Sequence, residues 1–77
     1  MKISVLFFAS LREHLGKDIL HLEIPEGASV QKVLNEILRK SELTKFTLCA
    51  VNETYVPRDT LLKDGDRLAL IPPMAGG

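Results

Sequence analysis

Residues 29–40 read SVQKVLNEILRK, and this segment carries the clearest helical pattern in the chain. Its apolar side chains recur at i, i+3, i+4, i+7 and i+8, the spacing of one face of an α-helix. They are Val30, Val33, Leu34, Ile37 and Leu38. Ser29 stands before the first of them and is a favourable N-cap residue. The segment therefore predicts one amphipathic helix, whose apolar stripe has to be buried against another layer.

The residues before this helix predict a hairpin interrupted by a short helix. Residues 2–8 and 18–24 alternate between apolar and polar side chains, as β-strands do. Between them, Ser10 and Glu13 have the spacing of a capping box, which opens a helix. Gly16 is a natural end for that helix because glycine adopts the left-handed conformation without strain.

The residues after the long helix predict three more strands with turns between them. The strands fall at residues 46–51, 54–56 and 67–71. Residues 52–53 and 63–66 have turn composition. The order of hairpin, long helix and further strands predicts an α+β roll, in which a mixed sheet packs on one main helix. We expect the C-terminal strand to lie beside the first.

If the first and last strands are neighbours, their outward faces form an apolar patch. Lys2 and Ser4 mark the outward face of the first strand, and that face continues to Phe8. On the last strand, Ile71 points outward by the same alternation. An exposed apolar patch beside a functional end indicates a binding surface. We therefore expect Phe8 and Ile71 to contact a partner protein.

Composition bounds the possible functions. The chain has 77 residues, of which 45% are apolar, so one domain with one core is expected. Ten basic and ten acidic side chains cancel, which argues against nucleic acid and anionic membranes as partners. No stretch resembles a membrane span or a secretory signal. A single cysteine forms no internal disulfide, and a cytoplasmic location is expected.

Few side chains suggest catalysis or metal binding. His14 and His21 have no third ligand near them in sequence, so we interpret both as solvent-exposed rather than metal-binding. Asp64 and Asp66 flank a glycine, but the remainder of a calcium loop is missing and a turn is expected. Cys49 has no nearby base and is interpreted as an inert, half-buried thiol. The sequence predicts no metal site and no cofactor bound by this chain.

The segment PPMAGG at residues 72–77 suggests that the C-terminus itself takes part in chemistry. Two prolines stiffen the exit from the last strand, and two glycines leave the terminal carbonyl unhindered. We interpret residues 72–77 as a flexible tail of a single domain spanning residues 1–77. The reacting group is then the carboxylate of Gly77, next to Gly76. It requires a partner enzyme to activate it with ATP, since no phosphate-binding loop is present.

Four segments together resemble the small subunit of molybdopterin synthase, a ubiquitin-like sulfur carrier. They are LFFASLRE at residues 6–13, AVNET at 50–54, DGD at 64–66 and PPMAGG at 72–77. The resemblance covers essentially the whole chain, and it implies the β-grasp, or ubiquitin-like, fold. Leu70 and Ile71 stand where aromatic residues are common in that family, so contacts with a partner are expected to differ in detail.

The resemblance also implies a reaction and partners. Gly77 would be adenylated by an activating enzyme and converted to a thiocarboxylate, a C-terminal 1-thioglycine, with sulfur from a donor protein. The tail would then enter the large synthase subunit, which carries the catalytic residues, and give sulfur to cyclic pyranopterin monophosphate to build the molybdopterin dithiolene. The expected assembly is a heterotetramer with two of each subunit. The partner-binding residues it implies are Phe8, Tyr55, Ile71, Pro72, Pro73, Met74 and Ala75.

Three alternatives stay open on the sequence alone. The sulfur carrier for thiamine thiazole synthesis shares the fold, the DGD turn and the Gly-Gly end, and residues 56–58 (Val-Pro-Arg) suit it. The segment FFA at residues 7–9, the capped first helix with Arg12 and Glu13, and the two prolines at 72–73 argue against it. A ubiquitin-like protein modifier would join Gly77 to lysines of target proteins. A plain interaction domain would not need its Gly-Gly end.

Overall fold

The structure, a computed structural model, describes residues 1–38 and 47–72 of the chain. Within them the elements follow in the order β1 (Lys2–Phe7), α1 (Ala9–Leu15), β2 (Ile19–Glu23), α2 (Val30–Leu38), β3 (Leu48–Val51), β4 (Thr54–Tyr55) and β5 (Arg67–Ile71). Every predicted helix and strand is present. The predicted last turn of α2, residues 39–40, and the predicted first residue of β3, Phe46, lie outside the described residues.

The five strands form one mixed sheet in the order β2-β1-β5-β3-β4. β1 and β5 are parallel neighbours, with Phe7 opposite Leu70, and the other three pairs are antiparallel. The predicted placement of the C-terminal strand beside the first is confirmed. The chain forms the α+β roll expected from its element order, with the β-grasp arrangement of a sheet wrapped on one main helix.

The core lies between α2 and one face of the sheet. The predicted stripe of α2 is buried at Val30, Val33, Leu34 and Leu38, and Ile37 packs against it while remaining partly exposed. The sheet contributes the alternate residues of β1 and β5, namely Ile3, Val5, Phe7, Leu68 and Leu70. The Oγ of Ser29 accepts a hydrogen bond from the backbone N–H of Lys32 at 3.2 Å, which confirms the predicted N-cap.

The capping box predicted for α1 is wrong. The helix begins at Ala9, and Phe8 occupies the N-cap position in an extended conformation with no side-chain cap. Only Phe8 separates β1 from the helix, so Ser10 is already the second helical residue and does not occupy the N-cap position. The predicted end is confirmed: Gly16 has φ 73° and its N–H bonds the carbonyl of Arg12.

Two turns hold the ends of the sheet. Asn52 and Glu53 both have positive φ, 50° and 72°, as a tight hairpin of type I′ requires. In the turn at residues 63–66, Asp66 accepts the N–H of Lys63 at 2.8 Å and Asp64 accepts the N–H of Lys2 at 2.7 Å. The two carboxylates are therefore turn residues, as predicted. No helix in the described ranges has the length and apolar character needed to cross a membrane.

Candidate functional site

The candidate site lies on the face of the sheet opposite α2, here called the outer face. β1 and β5 are parallel and finish at the same end of the sheet, where Phe7 and Leu70 face the core. Side chains alternate between the two faces of a strand, so the next residues, Phe8 and Ile71, lie on the outer face. The structure thus brings together the two residues from which the sequence predicted an apolar patch.

The outer face is apolar at this end because several large side chains are left exposed there. Phe8 is 46% exposed, Leu48 53% and Tyr55 68%, while Ile71 is partly buried. The registers place Leu48 opposite Ile71 and Tyr55 opposite Ala50. Residues directly opposite in neighbouring strands share a face, so these side chains form one surface. We call Phe8, Leu48, Tyr55 and Ile71 the apolar patch.

Sequence reasoning missed Leu48 and Ile19 as members of the outer face. Leu48 joins it because β3 pairs with β5, and Ile19, 48% exposed, joins it because it stands opposite Leu6. The period-two alternation of each strand was visible in the sequence. The alternation does not say which strands are neighbours or in which register, so it could not place either residue beside the patch.

A shallow groove of roughly 250 Å³ adjoins the patch on the outer face. Its lining changes from apolar, at Leu6, Phe8 and Ala69, to polar, at Asn52, Glu53 and Arg67. The polar end is held in place by side-chain hydrogen bonds: the Oδ1 of Asn52 accepts the N–H of Arg67 at 3.1 Å, and its Nδ2 donates to Asp66 at 3.0 Å. A partner docking here would meet a rigid, amphipathic surface.

The fold fixes where the C-terminal segment starts. Pro72 follows directly after β5 and is buried, so the chain is anchored up to this residue. The remaining candidate residues, Pro73, Met74, Ala75, Gly76 and Gly77, lie outside the described residues. Five extended residues span roughly 17 Å, which sets how far Gly77 can lie from Pro72.

The other candidate side chains offer no competing active site. Cys49 is buried on the inner face of the sheet, opposite Leu70. Burial raises the pKa of its thiol above the ordinary value, although the nearby Arg58 opposes the shift, so the reactive thiolate is disfavoured. His21 is exposed, with its Nδ1 3.2 Å from the hydroxyl of Ser4. No three His, Cys, Asp or Glu side chains within residues 1–38 and 47–72 are grouped to hold a metal ion.

The topology and the apolar patch beside the C-terminal exit define a ubiquitin-like β-grasp protein. Solved structures agree with this class. SAMP1 from Haloferax volcanii has a TM-score of 0.83 over all of both chains at 21% identity, which shows a shared fold. A ubiquitin from Caldiarchaeum subterraneum has a TM-score of 0.70 at 23% identity, over all of this chain and 98% of the other.

The chain belongs to the ThiS family, whose model matches residues 5–77. It is homologous over its full length to molybdopterin synthase sulfur carrier subunits, which confirms the resemblance found in the sequence. The relative from Chlamydomonas reinhardtii is 39% identical, with all of both chains covered. The relative from Arabidopsis thaliana is 37% identical, covering all of this chain and 84% of the other.

Two solved structures from this group also resemble the chain. A candidate subunit 1 of molybdopterin converting factor from Pyrococcus furiosus has a TM-score of 0.79 at 35% identity, over 96% of this chain and 99% of that one. In Helicobacter pylori, subunits 1 and 2 of molybdopterin-converting factor were solved as a complex. A chain of that complex matches with a TM-score of 0.67 at 28% identity over all of both chains.

Proposed function

We propose that this chain is the sulfur carrier subunit of a molybdopterin synthase in molybdenum cofactor biosynthesis. The observation that carries the proposal is the full-length identity of 37–39% to sulfur carrier subunits of that enzyme. The apolar patch supports it, because it lies where the chain leaves the fold towards Gly77.

In the proposed reaction, the chemistry takes place at the carboxylate of Gly77. The carboxylate attacks the α-phosphorus of ATP on an activating enzyme, and pyrophosphate leaves to give an acyl-adenylate. Hydrosulfide supplied by a donor protein then attacks the carbonyl carbon and displaces AMP, which gives the thiocarboxylate without a change of oxidation state. Two consecutive glycines favour both steps, because no side chain hinders approach to the carbonyl carbon. The chain itself binds no cofactor in this scheme.

In the second stage, the large subunit receives the tail. The thiocarboxylate sulfur attacks a carbon of cyclic pyranopterin monophosphate, and an oxygen substituent leaves that carbon as the carbon–sulfur bond forms. Water then cleaves the bond between the sulfur and the Gly77 carbonyl, so that the carboxylate is regenerated. A dithiolene contains two sulfur atoms, so each product requires two loaded carriers. We propose a heterotetramer of two small and two large subunits, with the apolar patch and residues 72–75 in contact with the large subunit. The Helicobacter pylori complex supports such a pairing. A cytoplasmic location belongs to the same proposal.

A sulfur carrier for thiamine thiazole synthesis is the second candidate, suggested by residues 56–58. The structure gives one of these residues a different role. Arg58 is partly buried, and its Nη2 donates to the carbonyl of Thr47 at 2.9 Å, which ties the loop after β4 to the start of β3. This structural role accounts for Arg58 in a β-grasp domain of either pathway, so residues 56–58 do not discriminate between the two, and the identity to molybdopterin synthase sulfur carrier subunits favours the first candidate.

The proposal is tested by loading the carrier and then supplying each acceptor. The full chain is incubated with an activating enzyme, ATP and a sulfur source, and intact mass is measured. The expected result is a gain equal to the exchange of one oxygen atom for sulfur, localised to Gly77 by fragmentation. The loaded protein is then mixed with the large synthase subunit and cyclic pyranopterin monophosphate, and molybdopterin formation is followed.

Each outcome separates the candidates. Loading followed by molybdopterin formation supports the proposal. Loading with sulfur transfer only to a thiazole-forming enzyme would replace it with the second candidate. Formation of conjugates with lysines of other proteins, seen as a ladder of higher masses, would instead indicate a protein modifier. No mass change with a competent activating enzyme would reject sulfur carriage altogether.

A further inference from the structure

The outer face of the sheet has a depression at its centre. The strand registers place one residue from each strand directly opposite the next, in a row that crosses the whole sheet. From β2 to β4 the row consists of Ile19, Leu6, Ala69, Ala50 and Tyr55. Residues that are opposite in this way share a face, and the two alanines carry only a methyl group each between larger neighbours. The shallow groove of roughly 250 Å³ described above has Ala69 in its lining for this reason.

The shallow groove has an apolar wall and a polar end. Leu6 and Phe8 of β1 form the wall, and Asn52, Glu53 and Arg67 form the end. The side-chain amide of Asn52 is already engaged through both its oxygen and its nitrogen. Within residues 1–38 and 47–72, no hydrogen bond or ion pair is found for the Glu53 carboxylate. This carboxylate is therefore the acceptor that the groove offers to a ligand.

The shallow groove is formed before any partner binds. Its floor, Ala69, lies in β5, which is the central strand of the sheet and pairs on both sides with other strands. Its polar end is fixed by the two hydrogen bonds of Asn52. A preformed depression binds a side chain without the free-energy cost of ordering itself. Side chains that fill such pockets contribute most of the binding free energy of protein interfaces.

We propose that an aromatic side chain of the large synthase subunit, a tyrosine or a tryptophan, binds in the shallow groove. The inference rests on the proposed function, in which that subunit takes up the tail, and the Helicobacter pylori complex of subunits 1 and 2 supports the pairing. The ring lies on Ala69 against Leu6 and Phe8, and its O–H or N–H donates to Glu53.

The lining of the groove selects this kind of side chain. Tyrosine and tryptophan each combine a large apolar ring with a polar donor at one end, which matches a groove that is apolar along its wall and polar at its end. A phenylalanine or an aliphatic side chain would cover the Glu53 carboxylate without giving it a donor. An acceptor that loses water and gains no partner weakens binding.

The position of the groove selects the protein that receives the tail. Ala69 precedes Pro72 by three residues, about 10 Å along an extended chain. A standard interface covers about 800 Å² on each partner, so a protein that docks on the apolar patch and takes up Gly77 also covers the groove. The chain's own tail does not suit the groove, because it leaves from the far end of β5. Pro72 and Pro73 favour extended backbone over the reversal that it would need.

Filling the groove tests the proposal. Ala69→Ser, Ala69→Val and Ala69→Leu place increasing volume at its floor, and isothermal titration measures the affinity of each variant for the large subunit. Ala69→Ser should bind like the wild type and Ala69→Leu about tenfold more weakly, with Ala69→Val between them. A flat apolar contact would instead keep or gain affinity from the added leucine. The matched control is Asn35→Leu, on the exposed side of α2, which should leave the affinity unchanged. Urea unfolding checks that each variant is folded.

Two substitutions of Glu53 test the hydrogen bond. Glu53→Ala leaves the partner's O–H or N–H buried without an acceptor, and should weaken the complex about tenfold. Glu53→Gln keeps a side-chain carbonyl and should recover most of that loss. Residue 53 has φ 72°, and neither alanine nor glutamine relieves the strain of this conformation, so the comparison isolates the side chain. A loss that glutamine does not recover would indicate a cationic group of the partner and would overturn the proposal.

Methyl NMR of the complex detects the ring itself. An aromatic ring on Ala69 should move the proton resonance of its methyl group upfield when the large subunit is added. The methyl group of Ala28, 6% exposed in the core, should not move and is the internal reference. An unshifted Ala69 methyl in the saturated complex, or unchanged affinity in Ala69→Leu, would overturn the groove proposal alone. Failure of the wild-type chain to bind the large subunit would overturn the proposed function as well.

Discussion

Leu48 provides the sharpest test of whether the apolar patch binds a partner, because only the structure, and not the sequence, showed that Leu48 belongs to the patch. Fully burying a leucine side chain is worth about 1.5–3 kcal/mol. Leu48 is 53% exposed in the free chain, so about half of this free energy remains available when a partner covers it. Replacing it with alanine removes most of that share, about 1 kcal/mol, which corresponds to a roughly fivefold weaker complex.

The measurement is isothermal titration of the large synthase subunit with the wild-type chain and with Leu48→Ala. Leu61→Ala is the matched control: Leu61 is 61% exposed but pairs with Ser29 at the start of α2, away from the outer face. We expect Leu61→Ala to bind like the wild type, and urea unfolding should show both variants folded. Unchanged affinity in Leu48→Ala, or an equal loss in Leu61→Ala, would refute the assignment of the patch as the docking surface.

Three further perturbations have expected outcomes. Leu34→Ala, in the fully buried stripe of α2, should lower the free energy of unfolding in urea by about 2–5 kcal/mol, a large part of the roughly 4–12 kcal/mol expected for 77 residues. A smaller loss than in Leu48→Ala would contradict the assigned core. Deleting Gly77 should abolish the gain of sulfur in the loading assay while the thermal midpoint stays nearly constant, since the deletion removes no side chain. A deleted variant that still loads, now at the carboxylate of Gly76, would show that the reaction does not require Gly77. The pKa of Cys49 is raised above 9.0 in the folded chain, so the folded state holds this proton more tightly. The contribution of the protonated Cys49 thiol to the free energy of unfolding is therefore complete below about pH 9. It declines as the pH rises further, because the unfolded chain loses this proton before the folded chain does. Comparing wild-type and Cys49→Ala unfolding between neutral and alkaline pH isolates it, and an identical pH dependence in the two proteins would disprove the shift.

The candidate site was only partly predictable from the sequence. Phe8 and Ile71 were identifiable because each continues the alternation of its own strand, and the assumption that the two strands are neighbours proved correct. Leu48 was not identifiable as part of the apolar patch, because its position beside Ile71 depends on the antiparallel register of β3 with β5. A shift of one residue would have turned Leu48 into the core and Cys49 outward. The burial that makes Cys49 unreactive was likewise a result of this register.

The amino-acid pattern by itself determined the elements of this protein, since the 3.6-residue period of α2 and the alternation of the strands are local properties. It also determined the ends marked by special backbone geometry, such as Gly16, and the Ser29 cap. The pattern did not predict the start of α1 correctly, because the helix follows β1 almost directly and Phe8, not Ser10, is its N-cap residue. Strand order and registers were decided by tertiary structure. They depend on contacts between residues far apart in the chain, which form only when the whole sheet closes over α2.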